Sequence, residues 1–176
     1  MRPENRSLPV DTKHVSQRRK LRFESLADLD AEIERLTAAD VVCLGNWSLG
    51  QIFSHLARVM LTAVDGTTVR PPLPLRVLAF CFRPLLKWRL LEAGMPAGLP
   101  HQGFRVFGTV PQASELVADA GVTDEAGLTE LRTAIERYKS ADKLFPHPGF
   151  GNIPRRDWDR FHLRHAELHL SFVVPK

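Results

Sequence analysis

Cysteine is scarce in this chain of 176 residues: Cys43 and Cys81 stand far apart, with no CxxC pair. That argues against a disulfide framework or a zinc–thiolate site and fits a reducing compartment, so a cytoplasmic location is expected. Long apolar runs are missing too. The most apolar window, Leu73 to Leu91, is interrupted by Arg76, Arg83, Lys87 and Arg89 and by two prolines, which argues against a membrane span. The opening MRPENRSLPVDTKHVS has no apolar core for a signal peptide, and the polar, acid-containing stretch after Arg18-Arg19 lacks the apolar region of a twin-arginine signal. Nor is there a Gly-rich strand-to-helix phosphate loop, a Ser-His-Asp or Cys-His arrangement with motif context, an internal repeat, or a convincing strand pattern.

What is present is ordinary globular material, with 44% hydrophobic and 25% charged residues and length enough for one sizeable core. Residues 1–20 are polar and without periodicity, so they are expected to form a flexible arm, with residues 21–176 as one helical domain. The net charge of +4 is spread along the chain, and its densest cluster is RRKLR, Arg18 to Arg22. No aromatic residues are interleaved there for base stacking, so the cluster reads as a solvated arm and not a nucleic-acid contact.

Helix signals are strong. Ser25 with Asp28 has capping spacing, and Leu26, Leu29, Ile33 and Leu36 recur on one face of a first helix ending near Ala39. Ser48 with Gln51 is a capping box for a second helix to about Asp65, with Trp47 placed to staple onto Ile52 and with Ile52, Phe53, Leu56, Val59 and Met60 inward. A third helix is expected from Leu75 to about Glu92, kinked or broken at Pro84. Gly94 to Gly108 should be a loop with a short extended piece at Phe104–Phe107, followed by a helical turn within 112–118. Thr123-Asp124-Glu125 opens another helix to about Ala141, with Leu128, Leu131, Ile135 and Tyr138 inward. After the Pro/Gly loop at 146–152, Pro154 starts a final helix, Arg155 to Val173. Four main helices with apolar stripes predict an all-α, four-helix bundle with one long Pro/Gly-containing connection.

Histidine carries the chemistry. Of seven histidines, His162, His165 and His169 lie on one face of the final helix, and His55 points into the core face of the second. If those two helices are neighbours, His55, His165 and His169 make a three-imidazole set suited to a divalent ion, with coordination positions left for water or substrate. His162, a turn further back, reads as a rim or supporting residue. Gln51 is either a helix cap or a partner of His55. His14, His101 and His147 fall in the arm or in loops and are expected at the surface. The competing reading of the same residues is a polar core network, or histidines at a bundle end that reach solvent.

The runs NWSLGQIFSHLARVM and DWDRFHLRHAELHLSFV resemble the DinB-like superfamily of metalloenzymes, and RRKLRFESLADLDAEIERL resembles the opening of one of its bacterial subfamilies of unknown function. The resemblance covers about residues 18 to 174. It implies a four-helix bundle and a metal site of one histidine on the second helix with an HxxxH pair on the last, here His55, His165 and His169. It further implies nickel or zinc as the metal. The reactions it implies are those of thiol-dependent S-transferases or isomerases that use a low-molecular-weight thiol. A small-molecule substrate is then expected, with no nucleic acid or membrane partner. The alternative function is a non-catalytic bundle that binds a metal or small molecule structurally, or forms a homodimer through an exposed apolar helix face.

Overall fold

A computed structural model of the chain describes residues 10–68, 77, 81–97 and 116–176. Within them the protein is mostly helical: α1 (Leu26–Thr37), α2 (Leu49–Asp65), α3 (Arg83–Lys87), α4 (Asp124–Ser140) and α5 (Arg155–Leu170). A π-helical turn, Trp88–Glu92, follows α3 directly. Two short strands, β1 (Val41–Cys43) and β2 (Val173–Pro175), complete the described elements.

Local chemistry explains the helix starts. Ser25 and Ser48 each accept a hydrogen bond from the backbone N–H three residues on, and Asp28 and Gln51 return the favour to the cap backbone. Gln51 is therefore occupied as a cap. Thr123 likewise accepts from the Ala126 N–H. The expected stripes face inward: Leu29, Ile33 and Leu36 of α1, Ile52, Phe53 and Met60 of α2, and Leu131, Ile135 and Tyr138 of α4 are all buried. Of the expected third helix, most residues before Cys81 lie outside the described ones. Phe82 leaves the helical backbone before Pro84, which then sits in the first turn of α3, where its missing N–H costs nothing. The expected extended piece at 104–107, His101 and most of the turn at 112–118 also lie outside the described residues.

α2 is the central element, packing along α4 and against α5, while α1 and the π-helical turn both contact α5. The α2–α4 crossing is close because it is built on glycine. A Cβ on Gly127 would lie 2.2 Å from the Gly50 carbonyl oxygen, and a Cβ on Gly50 would lie 2.5 Å from the Thr123 oxygen. Asp124 then reaches across to accept from the Gly50 N–H at 2.7 Å.

The all-α expectation needs correcting at the C-terminus. α5 stops at Leu170, three residues before the expected Val173, because the chain turns to pair with β1. The pairing is antiparallel, with Val41 opposite Pro175, Val42 opposite Val174 and Cys43 opposite Val173. Three-residue strands are too short to show an alternating pattern in sequence. Their consequence is positional: the segment leading from β1 into α2 is pinned beside the end of α5.

Of the arm expected to run to residue 20, the described part is bonded to this corner. Asn46 accepts from the Val10 N–H at 2.7 Å. Arg19 donates from Nη2 to Glu32 at 2.6 Å and to the Leu170 carbonyl at 3.0 Å, and from Nε to the Val173 carbonyl at 2.5 Å. Cys43 and Cys81 are free. Among the described residues, no helix is long and apolar enough to cross a membrane.

The glycine crossing yields a stability test. Gly127→Ala should destabilise by about 1–3 kcal/mol, because the clash is with a backbone oxygen that cannot rotate away. Gly121→Ala, whose Cβ meets nothing within 4 Å, should stay within about 0.5 kcal/mol of the parent. Urea unfolding of the two variants compares them directly; equal midpoints would show that the crossing relaxes.

Candidate metal centre

Helix spacing places His165 and His169 one turn apart on the inner side of α5, and the α2–α5 contact brings His55 to them. His55 Nε2 lies 3.3 Å from His165 Nε2, and His169 Nε2 lies 3.0 Å from the same atom. The three rings are mutually edge-on, with centroids 4.6–5.0 Å apart. One ligand atom from each lies within 4.8 Å of the others, so among the described residues these three histidines form a group that could hold a metal ion.

Tautomers decide what such a cluster is for. His55 Nδ1 is 2.7 Å from the Leu116 carbonyl, which only accepts, so the ring proton sits on Nδ1 and Nε2 offers a lone pair. With neutral rings, no more than one proton can then serve both short N···N contacts. Burial pushes the pKa of His165 well below the ordinary histidine value, reinforced by His169 and His55 beside it. His169 is likewise pushed well down by burial, then by His55 and Arg18. The environment therefore favours uncharged rings, the form that ligates metals. Two nitrogens bound to one ion at 2.0–2.1 Å stand about 3.0–3.4 Å apart, the range the two close pairs occupy. The donor set fits a divalent cation.

Aromatic neighbours hold the rings. Trp47 lies nearly parallel to His169, at 5.4 Å and 8°, and tilts against His55 at 4.8 Å. Phe161 stacks on His165 at 5.9 Å. A cavity of about 380 Å³ opens over the three histidines, walled chiefly by Trp47, Ile52, Leu90, Phe161, Leu168 and Phe172. Solvent reaches His165 and His169 through it.

Two other histidines sit differently from the sequence reading. His162 is interior and not at a rim, at 3% exposure, stacked on Trp158 at 5.2 Å and edge-on to Tyr138 at 4.9 Å. It packs among Tyr138, Trp158 and Phe161, one turn before His165 on α5. Burial drives its pKa down to about 3, with His147 adding to the effect. His147 is not a solvated loop residue either. The Pro/Gly loop folds back on itself, the N–H groups of Gly149 and Phe150 donate to its Nδ1, and its ring rests on Phe150, Trp158 and Phe161. Burial lowers its pKa to about 4. His14 is exposed, as expected, and bonds to Asp11.

Sequence reasoning missed the Leu116 carbonyl, which no side-chain motif could signal, and the role of Trp47 as a wall of the site. The tryptophan's position one residue before the Ser48 cap, two turns ahead of His55, was the available clue.

A model of the family described as Protein of unknown function (DUF1569) matches residues 15–176. The chain belongs to that family. No curated protein and no solved structure matches it. The DUF1569 match takes in all three clustered histidines and the basic run at 18–22.

The buried His162 and half-buried His147 make stability acid-sensitive. Unfolded, His162 takes up a proton as the pH falls below 6.5; folded, it does so only near 3. The unfolded state then binds more protons throughout that window, so stability falls as the pH drops from 6.5 towards 3, by up to about 1.4 kcal/mol per pH unit from this residue. His147 adds a contribution of the same sign between 6.5 and about 4. Urea midpoints of the parent and of His162→Phe, compared across the acid range, should show a shallower pH slope in the variant; identical slopes would remove His162 as the source.

Proposed function

We propose that this DUF1569 chain is a metal-dependent enzyme of the DinB-like type, with α1, α2, α4 and α5 as its four-helix frame and His55, His165 and His169 as ligands of nickel or zinc. The observation that carries the reading is the convergence of three imidazole nitrogens from two helices, at 3.0 and 3.3 Å, beneath a pocket large enough for a small molecule.

A divalent ion held there supplies Lewis acidity and lowers the pKa of a water or thiol beside it. The chain's own residues do the rest. The Leu116 carbonyl fixes the His55 tautomer so that its Nε2 lone pair faces the other two rings. Trp47 and Phe161 limit rotation of His169 and His165 by stacking. The largely apolar wall lowers the polarity around the reacting groups.

That wall also favours a thiol over water as the nucleophile. Among the described residues lining the pocket there is no carboxylate to serve as a general base. A thiol, with a free pKa near 8.5, ionises without such help far more readily than water, whose pKa is near 15.7. Thiol-dependent transfer from a low-molecular-weight thiol is accordingly the favoured reaction, and hydrolysis the second.

Elemental analysis of the untagged protein, reconstituted with nickel or zinc, tests the reading. About one ion per chain is expected in the parent. His55→Ala and His165→Ala should each lose it, while His14→Ala should keep it. A reconstituted parent that remains metal-free, with its folded signal intact, would falsify the proposal.

A further inference from the structure

Beside the histidine pocket lies a second cavity of about 380 Å³, and its wall is cationic: Arg18, Arg19, Lys20, Arg22, Arg89 and Arg164 line it, against the single carboxylate of Glu167. Much of that charge is already compensated. Arg19 is paired with Glu32 at 2.6 Å, Arg22 with Glu24 at 3.3 Å, and Arg164 with Glu167 at 3.2 Å. Three cations are left over. Among the described residues, Arg18 donates only to the neutral Ser171 hydroxyl, at 2.7 and 3.0 Å, Arg89 donates to the Gly94 carbonyl, and Lys20 has no ion pair.

A second observation points the same way. Arg164 is 2% exposed, yet its Nε and Nη1 have no hydrogen-bond partner among the described residues. Its Nη2 serves the Phe23 carbonyl. Buried donors are nearly always satisfied, and a guanidinium kept short of partners in a cationic wall is suited to a ligand that brings oxygen acceptors.

The two cavities adjoin. Met95 and Leu168 belong to both walls. Arg18 also spans the boundary, its guanidinium lying 4.1 Å over the ring of Phe172, which walls the histidine pocket.

We propose that the basic cleft binds the anionic head, carboxylate or phosphate, of a small molecule whose apolar portion extends past Met95 and Leu168 into the pocket over His55, His165 and His169. The head-group site stands on the cleft alone; placing the apolar portion at a reacting centre rests on the metal-site reading above. The ligand class is thus an amphiphilic anion, with charge at one end and the reacting group among the aromatic side chains.

Calorimetric titration of the full chain, as purified and after chelation, tests this with two probes, inorganic phosphate and 2-phenylethyl phosphate. Arg18→Gln and the more exposed Arg89→Gln should each weaken phosphate binding about tenfold, whereas Lys139→Gln should leave it unchanged. The phenylethyl ester should bind about tenfold tighter than phosphate, and Trp47→Ala should abolish that gain. Phosphate affinity should survive chelation. A loss on chelation would mean that the anion was merely a metal ligand, and would overturn the cleft while leaving the metal site standing. Phosphate affinity indifferent to both arginine variants, or an ester no tighter than phosphate, would equally overturn the proposal. Vesicles of phosphatidylserine should not retain the protein; retention lost in the same arginine variants would move the head group to a membrane lipid and sink the small-molecule assignment.

Discussion

The candidate site depends on keeping three imidazoles uncharged while their nitrogens stand almost in contact. Water would solvate and protonate such a cluster apart; only a rigid, poorly solvated frame holds it together. α2 and α5 supply that frame, and the Leu116 carbonyl with Trp47 and Phe161 fixes the rings within it. The local energy is unfavourable for neutral lone pairs alone and turns favourable with a shared cation, so stability elsewhere must carry the site.

That stability comes from three places. The glycine-built crossing of α2 with α4 lets backbones approach closely and fixes the direction of α2, and so the height of His55. At the other end, Arg19 ties the arm to Glu32 and to the carbonyls of Leu170 and Val173, while β1 and β2 bind the chain end to the entrance of α2. Lys87, partly exposed, pairs with the buried Asp157 and joins α3 to the start of α5. The histidine pocket therefore sits between α2 and α5, each of which is tied to other parts of the chain.

The sequence displays the helices because their signals are local: caps at Ser25, Ser48 and Thr123, and apolar residues at helical spacing. It displays the histidine group for the same reason, since HxxxH on an amphipathic helix and an inward His55 need only periodicity and a neighbour relation. What it conceals depends on non-local geometry. Strands of three residues leave no period to detect, and the half-buried position of His147 follows from a loop folding its own N–H groups onto the ring. His162 reads as peripheral on a helical wheel because the wheel does not show Tyr138 and Trp158 closing over it. The basic run at 18–22 likewise looks like a solvated arm until its partners on α1 and α5 are in view.

The carbonyls that follow the long connection have a separate consequence. Leu116 serves His55, and Val117 serves Arg58, three residues further along α2. Both bonds use main-chain oxygen, which every amino acid supplies, proline included. The identity of the side chains at 116 and 117 is therefore free to drift without disturbing the histidine's tautomer. A substitution at either position that keeps the backbone path leaves the lone pair of His55 turned inward.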